Sequence, residues 1–230
     1  MKPPLMIRIG GIALVGGAVA FMAVFAYLAA QFDYPAVLDG PANVVLPKLL
    51  ATGSAGRAAW AFYAFLPLIW LPAGVGAYVA LRRSHPGAML LALQFATLAT
   101  ISMMLGLMRW PTIHWRMAEL YATATPDQQA VLGSLFDGLN TYLGNYIGEF
   151  LGELSFSAFI LLSGWALWRS RTAAPWAAGI AIATGAAGLI GMFRNVTSAV
   201  ALAGEVNNYL LPLGMIVLGI VFIRFRQVEA

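Results

Sequence analysis

Six apolar runs, at about residues 9–30, 58–81, 87–108, 145–168, 174–193 and 208–223, divide this chain. A bilayer core about 30 Å thick takes about 20 apolar residues of helix, and only helices or closed barrels satisfy their backbone polar groups inside it. Five runs reach that length and the sixth approaches it. The expected fold is therefore all-α, an integral membrane bundle of about six transmembrane helices forming a single transmembrane domain over residues 1–230.

Composition excludes most alternatives. Of the residues, 61% are hydrophobic and 10% charged, against about 45–50% and about 25% in an ordinary soluble domain. The formal charge of +4 comes from 13 Lys and Arg residues scattered between apolar runs, so a nucleic-acid partner is not expected. With no cysteine there is no disulfide framework, thiolate metal site or cysteine nucleophile. The run from Ile9 to Ala30 exceeds the usual apolar core of a signal peptide, about 7–15 residues, and reads as the first span.

Basic residues set the expected orientation. Lys2, Arg8, Arg82, Arg83, Arg169, Arg171, Arg224 and Arg226 occupy short turns and tails on one side, while Lys48, Arg57, Arg109, Arg116 and Arg194 fall on the other. The positive-inside rule then puts both termini in the cytoplasm and turns two long loops outward, 31–57 and 109–144. Pro67 and Pro72 predict a kinked second span. Thr125-Pro126-Asp127-Gln128 predicts a helix start that runs into span four.

Ionisable residues inside a span are costly and mark candidate sites. Span four concentrates them: Thr141, Asn145, Glu149, Glu153 and Ser157 recur every fourth residue, a slowly drifting polar stripe on a helix. Counting back from Arg169 places Glu153 roughly 24 Å from the cytoplasmic end, and Glu149 lies a turn further out. Two carboxylates one turn apart need a cation, a metal ion or a shared proton. Arg109, Arg194 and His114 fall at the same depth. The functional reading is an outward-opening polar cavity whose Glu149 and Glu153 bind a cationic ligand or carry a proton. The structural alternative is that Arg109 and Arg194 pair with the acids to fix the bundle.

Gly144, Gly148 and Gly152 form a ridge beside the stripe, expected to be a packing face within the bundle, with homo-oligomerisation as the other use of such a ridge. A metal site from Glu149, Glu153 and His114 has ordinary ligand types but no specifying spacing, so no metal and no cofactor is expected. Trp60, Tyr63, Trp110, Trp115, Trp168 and Trp176 read as interfacial anchors. No dinucleotide fingerprint, phosphate-binding loop, zinc-protease pair or serine elbow occurs, and no catalytic residue is assigned.

The run Phe136-Asp137-Gly138-Leu139-Asn140-Thr141-Tyr142-Leu143-Gly144, then Ile147-Gly148-Glu149-Phe150-Leu151-Gly152, Trp165-Ala166-Leu167 and Pro175-Trp176-Ala177-Ala178-Gly179, resembles the bacterial membrane proteins grouped as domain of unknown function 4386. Phe32-Asp33-Tyr34-Pro35 is similar too. The likeness extends over most of the chain, and Glu149 matches its pattern. It implies a multi-pass protein of the bacterial inner membrane and no activity. The expected role is binding a small molecule or a membrane partner protein through the outward cavity, as a sensor or accessory subunit. A secondary or proton-coupled transporter is the alternative, and an intramembrane enzyme or metal protein the third.

Overall fold

Leucine, alanine, isoleucine and methionine fill the apolar runs, and in a bilayer their backbones have no hydrogen-bond partner but themselves. Helix is the outcome throughout. A computed structural model describes residues 5–225, of which 88% are helical, with no strand among them. Lys2 and Arg226, counted above for orientation, lie outside the described residues. Among the described residues six helices are long and apolar enough to cross a membrane: Leu5–Phe32, Gly53–Leu81, Pro86–Tyr121, Pro126–Ser170, Pro175–Asn195 and Ser198–Ile223. They are spans one to six below.

Each span packs on the next, and span six returns to span one, so the six close into a ring. Apolar side chains gain little from leaving lipid for protein, so close backbone approach has to hold such helices together. Where span one meets span six, a Cβ on Gly11 would stand 2.5 Å from the carbonyl oxygen of Gly219, which leaves room only for glycine. Leu14, Trp70, Ala96, Phe156 and Met215 fill the ring. The Trp70 and Phe156 rings stack across it with centroids 4.4 Å apart, tying span two to span four. Span two is interrupted where expected: a tighter turn over Leu66–Ile69 holds Pro67.

The sequence predicts a loop over 109–144, and the structure corrects this. Span three continues as helix to Tyr121 and span four begins at Pro126, leaving residues 122–125 as the connection. The helix start at Thr125 is present, with its backbone N–H donating to Gln128 Oε1 at 2.9 Å. The extensions carry Arg109, Arg116, Glu119, Asp127 and Asp137, which lower the local hydropathy and end the apolar runs early. Spans three and four have 36 and 45 residues, about 54 and nearly 70 Å of helix against a core about 30 Å thick. They project as a helical hairpin from the end of the ring distal to Leu5 and Ile223.

The predicted loop 31–57 likewise contains a helix, Ala42–Ala51, and the first turn of span two. This helix packs beneath the hairpin on a second core that includes Phe32, Leu46, Trp60, Trp110, Trp115 and Phe136. Trp60 and Trp110, expected as anchors facing lipid, are instead fully buried and stacked with centroids 4.9 Å apart. Tyr63 and Trp115 are buried with them. Trp168 and Trp176 are exposed at the opposite end of the bundle. Position along a span places a tryptophan at a given depth but does not say whether protein or lipid covers it.

Candidate functional site at the junction of spans four, five and six

Span four changes geometry where it carries its acids. From Asn140 to Leu151 the helix is wound in the wider π form, and from Gly152 to Ser170 it is α. Such segments are rare and concentrate at functional sites. Glu149 stands in the π segment and Glu153 in the first turn of the α segment, so the change of winding falls between the two carboxylates.

The glycine ridge explains which way the carboxylates turn. A Cβ on Gly148 would stand 2.9 Å from Gly106 Cα, one on Gly152 would stand 2.6 Å from Met103, and one on Gly144 would collide with the Arg109 guanidinium. The ridge therefore faces span three, as a packing face inside the bundle. The carboxylates reach spans five and six.

There they share one guanidinium. Arg194, at the end of span five, donates through Nη2 to Glu149 Oε2 at 3.1 Å and through Nη1 to Glu153 Oε2. Amides complete the cluster. Asn195 Nδ2 donates to Glu149 Oε2 at 2.9 Å and to the Asn145 carbonyl at 3.0 Å. Asn207, on span six, donates to Glu153 Oε1 at 2.9 Å. The Asn145 side chain points the other way and donates to Asp39 Oδ1 at 3.2 Å, linking the site to the segment after span one.

Two features give the cluster chemical character. Two carboxylates meet one guanidinium, so the groups in direct contact carry a net formal charge of −1. Accessibility is also graded: side-chain exposure is 35% at Arg194, 31% at Glu149 and 10% at Glu153. Glu149 is a third exposed, whereas Glu153 is nearly buried.

Arg109 and His114 do not join this cluster. Arg109 is buried against span four, donating through Nε to Asn140 Oδ1 at 3.2 Å and through Nη1 to the Gly106 carbonyl. Its guanidinium lies 5.0 Å from the Trp110 ring centroid. Among the described residues no carboxylate lies within ion-pairing distance of it. His114 is fully buried between Trp110 and Phe136, with centroids 4.9 and 4.7 Å away, and neither ring nitrogen has a partner. No three His, Asp or Glu side chains gather as metal ligands among the described residues, so the imagined Glu149, Glu153 and His114 site is not formed.

Sequence reasoning missed Asn195 and Asn207. Asn195 stands in what reads as a glycosylation sequon, and Asn207 precedes the apolar run taken as span six. The available signal was two amides placed in or beside apolar runs, at the depth of the span-four acids.

A family model described as a domain of unknown function, DUF4386, matches residues 9–224. The chain belongs to the DUF4386 family. This match covers nearly the whole chain and takes in every residue of the junction. No curated protein and no solved structure matches the DUF4386 chain.

Proposed function

We propose that this DUF4386 protein is a membrane-embedded binding protein, a sensor or accessory subunit, whose junction of spans four, five and six receives a small cationic or zwitterionic ligand. The observation that carries this reading is the pair Glu149 and Glu153 on a single arginine, with one carboxylate a third exposed and the other nearly buried. Arg194 acts as the resident cation of the site, and the excess negative charge favours an incoming positive group. Glu149 contacts the ligand first, Glu153 fixes its depth, and Asn195 and Asn207 orient the two carboxylates.

Orientation and location belong to the same reading. We place both termini in the cytoplasm of a bacterial cell, the protein in the inner membrane, and the exposed side of the junction outward; the short basic turns support that orientation. The test is thermal stability of the purified protein in detergent, titrated with small amines and amino acids. A saturable stabilisation lost in Glu149→Gln supports the reading; the same response in both proteins, or in neither, overturns it.

One observation favours a second reading, proton-coupled transport. Span two is interrupted over Leu66–Ile69, the kind of discontinuous helix that transporters place around their binding sites. Substrate-dependent flux in proteoliposomes, abolished by Glu149→Gln, would select it.

A further inference from the structure

The inner end of the junction has oxygens with nothing to bond. Asn207 is 3% exposed, and its Nδ2 is committed to Glu153 while its Oδ1 has no partner. Ser157, one turn below Glu153 on span four, is 1% exposed, and its Oγ is also unpartnered. The two lie together. A Cβ built on Gly188 of span five would collide with Ser157 Oγ and stand 3.1 Å from Asn207 Nδ2, so glycine at this position lets both side chains reach the same level between spans four, five and six. A buried unpaired oxygen is expensive, and native structures rarely keep one without a function or a bound species.

We infer that Glu153, Asn207 and Ser157 form an inner subsite for a small monovalent cation, an alkali-metal ion of sodium size or a hydronium ion. The donors are all oxygen: Glu153 carboxylate, Asn207 Oδ1 and Ser157 Oγ, a hard set that suits hard cations. Charge selects the valence. The two carboxylates and Arg194 leave −1, which a monovalent ion cancels and a divalent ion would overshoot beside a guanidinium. An anion is excluded by the same balance. The inference rests on the reading of the junction as a binding site and names the ion that accompanies a zwitterionic ligand, whose own charges cancel.

The experiment is thermal unfolding of the full chain in detergent, with sodium, potassium and choline chlorides compared at equal ionic strength, at pH 5.5 and pH 8. The expected result is a saturable rise in Tm with sodium over choline, about 5–10 °C when the ion is a hundredfold above its Kd. Ser157→Ala, which removes one oxygen and little volume, shifts the midpoint to at least tenfold higher sodium. Asn207→Leu abolishes the response. A rise on acidification in place of the sodium response, also lost in Ser157→Ala, assigns the subsite to hydronium. Equal stability in every chloride at both pH values, or a response unchanged in Ser157→Ala, overturns the inference and leaves water as the occupant. An amine response without a cation response sinks the subsite alone, whereas the absence of both sinks the binding reading with it.

Discussion

Gly106 and Gly148 meet backbone to backbone: a Cβ on Gly106 would stand 2.5 Å from Gly148 Cα and 3.0 Å from the Leu143 carbonyl oxygen. This crossing sets the distance between spans three and four. It also sets the rotation of span four, and through that the direction in which Glu149 and Glu153 leave the helix. Gly106→Ala and Gly148→Ala are expected to cost about 1–3 kcal/mol each, the range for overpacking a tight contact. Gly138→Ala, where a Cβ meets nothing within 4 Å, should be neutral or stabilise by up to about 1 kcal/mol. Denaturant titration in mixed micelles checks the order, and equal effects at Gly106 and Gly138 would contradict it.

Arg194 holds two carboxylates from different turns, so its loss leaves them facing each other. Arg194→Ala is expected to destabilise by roughly 2–3 kcal/mol, below the range of about 3–5 for breaking a fully buried pair because the cluster is partly open to water. Glu149→Gln should cost less, since the amide keeps the hydrogen-bonded shape and relieves repulsion. Adding Glu153→Gln to Arg194→Ala should recover part of the loss. A double-mutant cycle reads the coupling directly, and strictly additive effects would show that the three groups are energetically independent.

His114 is buried without a hydrogen bond among Trp110 and Phe136, so its ring serves packing. His114→Phe is expected to fold with stability unchanged or improved, because two unpaired nitrogens leave an apolar pocket. His114→Ala opens a cavity and should cost about 2–4 kcal/mol. Thermal unfolding of both variants decides. A large loss in His114→Phe would show that the imidazole nitrogens are used.

The chain has no cysteine, so single substitutions report sidedness without background. Ser84→Cys, in the exposed turn between spans two and three, and Ser134→Cys, on the exposed face of the projecting hairpin, lie at opposite ends of the bundle. In intact cells a membrane-impermeant maleimide should label Ser134→Cys and spare Ser84→Cys. The reverse pattern would invert the orientation and turn the exposed side of the junction toward the cytoplasm.

The sequence was informative where one periodicity decided the outcome. Six apolar runs read as six helices, and the ridge at Gly144, Gly148 and Gly152 read as a packing face. The pairing of Arg194 with the span-four acids was also legible, because a costly buried charge has few partners at its depth. Arg109 misled. Its depth matched the acids, but the ridge rotates it to the other side of span four, where Asn140 and a backbone carbonyl receive it. Depth can be counted along a chain, whereas rotation about the helix axis is set by contacts between helices. The loop over 109–144 failed for another reason: once a helix leaves the bilayer its charged residues erase the hydropathy signal, although Thr125 and Pro126 still marked the start. The π winding had no visible signal in composition.

Chemical rescue of Arg194→Ala by methylguanidinium tests most directly whether the junction is a cation site that water-borne ligands can reach. The variant keeps both carboxylates and lacks the side chain that sits between them. A saturable recovery of thermal stability with methylguanidinium, absent with urea at equal concentration and abolished by adding Glu149→Gln, is the predicted result. No recovery at any concentration, or the same recovery in the variant without Glu149, would mean that the cluster is a closed structural clasp and not a binding site.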